Sequence, residues 1–169
     1  MRTNMVLTAG AGLLAAMFLT TSLAIPAGAA AEKETVITGS IDGTETDVLV
    51  GLPPTGINVN AVVGGVASHL GRFAYVYHVD VVLPAGTATG KGQFIAANGD
   101  VIQLDIVGTS VPGVEPNTGD ITEIDTVTGG TGRFAGATGK ITILRVVDLG
   151  TGDTSGTVAG SVFTLAGAH

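Results

Sequence analysis

Cysteine is absent from the 169-residue chain. That excludes disulfides, a lipid-modified cysteine and thiolate metal sites, so the fold must rest on packing and backbone hydrogen bonds. Tryptophan is also missing, and the aromatics amount to five Phe and two Tyr. Lys and Arg number only 7 against 14 Asp and Glu, with no basic stripe. Nucleic-acid binding and attraction to anionic membranes are therefore not expected. There is no Ser–His–Asp order with a nucleophile elbow, no close pair of catalytic carboxylates and no dinucleotide fingerprint. These absences lower the expectation of an enzyme, and neither a metal nor a cofactor is expected.

The first 31 residues carry what an export signal needs. Arg2 supplies a short positive region, Met5 to Leu19 is apolar apart from Thr8 and small residues, and Pro26 precedes the small-residue tract Ala27-Gly28-Ala29-Ala30-Ala31. The pattern predicts a signal peptide over 1–31, helical through much of Met5–Leu23 and cut after Ala29 or Ala31. Its apolar core is shorter than the roughly 20 residues a spanning helix needs, and no later stretch is long and apolar enough to span. The expected product is a secreted, extracellular protein free of the membrane once the signal is cut. Residues 32–169, about 138 in number, suit one domain.

Glycine is plentiful, 27 residues in all, and Thr and Val are frequent. That mixture suits short strands joined by tight turns. Candidate strands are Thr35–Ser40, Asp47–Leu52, Asn58–Ser68, Arg72–Leu83, Thr87–Ala96, Val101–Gly108, Asp120–Thr128, Lys140–Leu149 and Ser155–Leu165. Turn signals separate them: Asp42-Gly43, Pro53-Pro54-Thr55-Gly56, Pro84-Ala85-Gly86, Asn98-Gly99, Pro112-Gly113 and Gly150-Thr151-Gly152. Asn98-Gly99 predicts a type I′ hairpin between the strands on either side. Alternation puts Ile102, Leu104 and Ile106 on one face, and Phe73, Tyr75, Tyr77, Val79 and Val81 on another. Eight or nine such strands must hide their edges, which favours a closed antiparallel β-barrel of about eight strands, with a β-sandwich as the alternative. Gly71-Arg72-Phe73-Ala74 recurs as Gly132-Arg133-Phe134-Ala135, a faint internal repeat.

Three stretches together resemble a known family: Ser68-His69-Leu70-Gly71-Arg72-Phe73, Ala96-Ala97-Asn98-Gly99-Asp100 and Gly129-Gly130-Thr131-Gly132-Arg133-Phe134-Ala135-Gly136-Ala137-Thr138-Gly139. They look like small exported bacterial proteins of unassigned function, over most of the mature chain. The third stretch is also similar to the Gly-rich turn of plant dirigent proteins and allene oxide cyclases. The resemblance implies their eight-stranded antiparallel barrel with room for an apolar lumen. No set of residues maps one by one onto a dirigent or cyclase active site, so it implies no particular chemistry.

The Gly129–Gly139 loop is not a P-loop: no Ser or Thr follows Lys140, and a strand rather than a helix comes next. It reads instead as a structural turn with Arg133 and Phe134 packed over the barrel end. Leu52-Pro53-Pro54-Thr55-Gly56 spells a wall-sorting motif but lies early in the chain, and it reads as a turn. Of the histidines, His69 has the best claim to acid–base work or ligand binding; a hydrogen-bonding cap is the plainer reading. His78 and Asp80 read as an outward polar pair.

The most informative pair is Glu123 and Arg145. Glu123 is in phase with Ile121 and Val127, Arg145 with Ile143 and Val147, and a hairpin through Gly129–Gly139 would bring the two roughly opposite each other. Pointing inward, they would form either a cross-strand ion pair that fixes register or a polar anchor at the bottom of a cavity. Candidate ligand-binding residues are thus Tyr75, Tyr77, Glu123, Arg145 and His69, and no residue is assigned a catalytic or metal-binding role. The leading expectation is a non-enzymatic barrel binding a small apolar ligand, or an extracellular interaction module. A dirigent- or cyclase-like protein that guides a reactive molecule is the second. A self-associating surface protein is the third. A lumen with a cavity of several hundred cubic ångströms speaks for the first two, and a filled lumen for the third.

Overall fold

The computed structural model describes residues 31–165. The expected leader helix and His169 lie outside the described residues. Eight strands, β1 (Glu32–Val50), β2 (Gly56–Ala67), β3 (Gly71–Val82), β4 (Thr87–Ala96), β5 (Val101–Pro112), β6 (Thr118–Gly130), β7 (Thr138–Asp148) and β8 (Asp153–Leu165), follow one another around a closed barrel. Every neighbouring pair is antiparallel, including β1 with β8, so no strand edge is left open. The fold class is all-β, as expected from the alternation.

Nine candidate runs become eight strands because Asp42-Gly43 is not a turn. Thr35–Ser40 and the first four residues of the Asp47–Leu52 run, Asp47–Val50, are parts of one 19-residue strand, and Gly51 and Leu52 fall in the turn that follows. β1 pairs with β8 through Glu32–Thr44 and with β2 through Gly39–Val50. A closed barrel staggers its strands, and one long strand offset between its two neighbours accommodates that stagger. The Asn98-Gly99 hairpin forms, but with different turn chemistry. Gly99 N–H donates to Ala96 O at 2.9 Å and Ala96 N–H to Asp100 O at 2.8 Å. Only Gly99 has positive φ, at 86°. The connection is therefore a type I turn closed by a left-handed glycine, the three-residue solution, rather than type I′.

The up-and-down course sorts the connections between two ends. One end carries the β2–β3, β4–β5 and β6–β7 connections; the other carries β1–β2, β3–β4, β5–β6 and β7–β8. At the first end the β6–β7 connection forms a short 3-10 turn, Gly132–Phe134, whose Phe134 is buried at 2 % exposure. Arg133 lies 4.9 Å over that ring and its Nε is 3.4 Å from Asp100 Oδ2. The Gly-Arg-Phe-Ala words thus take different structures: the first opens β3, the second makes this turn. No repeated element underlies them, although Phe73 and Phe134 both enter the core.

Side chains fill the lumen at this closed end. Phe73 and Tyr75 each pack edge-on to Phe94, with ring centroids 5.0 Å and 4.8 Å away. Ile102, Leu104 and Ile106 are all buried, as their alternation predicts. Gly92 faces the same space, and a Cβ there would stand 2.9 Å from the Tyr75 ring. Glycine at this position lets the tyrosine lie across the barrel. If Phe134 closes the core, Phe134→Ala should cost about 3–5 kcal/mol of stability. Denaturant unfolding checks this, and a loss under about 1 kcal/mol would mean that the ring lies on the core without belonging to it.

Candidate functional site

Above the aromatic layer the barrel interior turns polar. Arg145 on β7 points inward at 5 % exposure, among the buried carboxyls Glu45 on β1 and Glu123 and Asp125 on β6. Burying a guanidinium is very costly unless its donors are met. Its Nε and Nη2 donate to Glu123 Oε1 at 3.1 and 2.9 Å. Its Nη1 donates to Glu45 Oε2 at 2.6 Å and to Thr154 Oγ1 at 3.1 Å. Thr154 passes the chain on, donating to Val146 O at 3.0 Å. Four hydrogen bonds thus occupy four of the five donors a guanidinium carries. Burial opposes the Arg145 charge, but Glu123, Tyr77 and Glu45 outweigh it and hold the group above its ordinary value.

The two tyrosines of β3 complete the network. Tyr77 donates to Glu45 Oε2 at 2.7 Å, and the Arg145 guanidinium lies 5.4 Å from its ring centre. Burial raises the Tyr77 hydroxyl, Arg145 opposes this, and Glu45 adds to it. One layer deeper, the Tyr75 hydroxyl lies 3.3 Å from Glu123 Oε2 and 3.3 Å from Asp125 Oδ2. A phenol has one proton and can donate to only one of them. The arrangement closes if Tyr75 donates to Glu123 while a protonated Asp125 donates to the Tyr75 oxygen. The electrostatics agree: burial first, then the Glu123 charge, push the Asp125 carboxyl up to about 8, against Tyr75 and Arg145. The other Asp125 oxygen, Oδ1, is buried without a partner. The Tyr75 hydroxyl is raised chiefly by burial and then by Glu123.

This network floors a cavity of ≈ 440 Å³ at the open end of the barrel. Ile57, Val59, Val79, Val81, Val147 and Leu149 contribute apolar wall, and the polar floor is Glu45, Glu123 and Arg145. Asp47 stands nearer the mouth. Partial burial raises its carboxyl above the ordinary value, Glu45 adds to that, and Arg145 opposes it. The β3–β4 and β5–β6 connections contribute Leu83, Pro84, Gly86 and Asn117 to the rim.

Of the residues singled out in the sequence, Glu123, Arg145, Tyr75 and Tyr77 come together. Glu123 and Arg145 are offset by one alternate position, since Arg145 pairs with Ile121 and Glu123 with Ile143. The tyrosines reach the site through their hydroxyls from below the cavity wall. His69 does not join them. It sits exposed in the β2–β3 connection at the closed end, with φ 62°, because that connection belongs to the opposite set from those around the cavity. His78 and Asp80 are exposed on the outer face, as expected of an outward pair. Glu45 and Asp125 belong to the site without having been candidates. Asp125 carried a signal, being two residues from Glu123 and in the same phase. Glu45 was hidden by the false turn before it.

No family model matches the chain, and no curated protein matches it. Among solved structures, it is similar to the pterocarpan synthase dirigent protein GePTS1, with a TM-score of 0.58 and 18 % identity over 89 % of this chain and 99 % of that one. The likeness shows a dirigent-type barrel.

Two outcomes follow from the network. Arg145→Ala leaves two buried carboxylates without their cation and should cost about 3–5 kcal/mol; an unchanged melting temperature would overturn the buried pair. Asp125 binds its proton more tightly folded, at about 8, than its ordinary value of 3.8. Its contribution to stability is therefore full below about 4 and is lost as pH rises to about 8. Asp125→Asn should show a melting temperature that gains on the parent protein's between pH 5 and 8 and levels off above. Melts followed by circular dichroism across that range check it, and a pH-independent difference would refute the shared proton.

Proposed function

We propose that this barrel binds a small, mostly apolar organic molecule in the open half of its lumen, and that it does so outside the cell. The observation that carries the reading is the ≈ 440 Å³ cavity with aliphatic walls and a few polar groups gathered at its floor. Small-molecule sites run from about 300 to 1,000 Å³ with this kind of lining. A lumen filled along its whole length would have favoured a structural role. Export agrees with a cysteine-free domain held by a closed sheet and its core.

One observation favours a second reading, that the protein guides the reaction of its ligand as a dirigent-like barrel. A site that only holds an apolar body has little use for a buried arginine, three carboxyls and two phenols in one network. In that reading Arg145 and Glu123 orient the reacting group at the floor, and Tyr75 and Asp125 hold a proton beneath it. The barrel shared with GePTS1, itself described as a pterocarpan synthase, is compatible with this.

The uncharged fluorophore N-phenyl-1-naphthylamine tests occupancy. Its fluorescence should rise saturably on titration with the protein, and Ala88→Trp, which places a large ring at the cavity wall, should reduce its affinity at least about tenfold. Native mass spectrometry of protein from its own culture medium should show a bound small molecule. Absence of both signals would reject the binding reading.

A further inference from the structure

The charges of this barrel are sorted between its ends. Lys33, Arg72, Arg133 and Lys140 all lie at or next to the closed end, where β1, β3 and β7 begin and the β6–β7 turn sits. Lys91 lies midway along β4 on the outer face, 2.6 Å from Asp105. Around the open end the charged residues are acids: Asp47, Glu115, Asp120, Asp148 and Asp153. Among the described residues the one cation on that side is Arg145, and it is already committed to Glu45, Glu123 and Thr154. The cavity itself therefore holds three carboxyls, Glu45, Asp47 and Glu123, against one guanidinium. Asp47 forms no ion pair among the described residues, and it stands nearer the mouth than the buried network.

This imbalance sets a preference for ligand charge. An anion entering the mouth would meet acids and find four of the arginine's five donors taken. A cation would be drawn in by the rim and would meet an unpaired carboxyl beside the apolar wall, where a partly dry setting strengthens the attraction. Resting on the ligand-cavity reading above, we propose that the natural ligand is a small amphiphilic amine: an apolar body seated against the Val and Ile wall, with its ammonium group at Asp47 and the outer edge of Glu45. The apolar cavity supplies the site, and the acidic lining selects among the bodies that fit it.

A matched series with one apolar body separates the two ideas: 4-phenylbutylamine, 4-phenylbutanol and 4-phenylbutanoate, titrated calorimetrically into the protein at pH 7 and low salt. The amine should bind about tenfold or more tighter than the carboxylate, with the alcohol between them, and added salt should narrow the gap. Asp47→Asn removes the mouth carboxyl without disturbing the buried ion pairs, and it should reduce the amine-to-carboxylate ratio several-fold. Asp105→Asn, which removes an acid from the outer face, should leave the ratio as it is. If all three bind alike, or the carboxylate binds best, charge selection is refuted while the cavity reading stands. If none binds while N-phenyl-1-naphthylamine does, the amine proposal fails alone. If neither the series nor the dye binds, both readings fall together.

Discussion

Everything in the upper half of this barrel depends on one buried guanidinium. Arg145 brings a charge into a lumen whose walls are largely Val, Ile and Leu, and such a charge is tolerated only if it is paired and hydrogen-bonded. The carboxylates that meet it come from both sides of the barrel. Glu123 lies on β6, the adjacent strand, but Glu45 lies on β1, with β8 standing between. The ion pairs are therefore cross-lumen ties as well as local ones. They make β1, β6 and β7 agree on one register, since a slip by one residue would turn Glu45 or Arg145 out to solvent and strand its partner inside.

The same interaction explains why the lumen is half full. Bulky apolar rings suit the closed end, where Phe73, Phe94 and Tyr75 interlock and Phe134 covers them. They cannot continue upward, because the next layer is the ionic network and its tyrosine hydroxyls. Beyond that layer the walls carry mainly aliphatic side chains, Val59, Val79, Val81 and Val147 among them, too short to meet across the barrel. The cavity is the space left when a polar layer interrupts a core that would otherwise be packed to its end.

The architecture is legible in the sequence where two-residue alternation is strong. Phe73 to Val81 and Ile102 to Ile106 declare their inward face, and glycine-rich breaks between them set the meander. Glu123 and Arg145 are legible as inward-facing for the same reason. Features that depend on barrel closure are not. The Asp42-Gly43 pair carries a turn signal, yet Gly43 lies within a strand that two neighbours hold by different stretches. Breaking β1 there conceals Glu45, whose phase is readable only within the full strand. Contact between Glu45 and Arg145 spans 100 residues and skips a strand, so it depends on barrel stagger rather than local pattern. His69 misleads in the opposite direction: chemistry by residue type, at the end of the barrel away from the cavity.

One carboxyl is more than the pairing of Arg145 requires. Two glutamates already serve Arg145, and Asp125 adds a third acid that is fully buried, with one oxygen unpartnered. A Val or Ile at that position would pack against the same aliphatic neighbours at no desolvation cost, and replacing buried polar groups by apolar ones is commonly neutral or stabilising. Register does not need Asp125 either, because the ties through Glu45 and Glu123 already set it. What Asp125 does supply is a proton next to Tyr75, in contact through that phenol with Glu123 and so with the floor of the cavity. A group that weakens the fold at neutral pH while holding a proton beneath a ligand-sized space is better explained by the contents of that space than by the stability of the barrel.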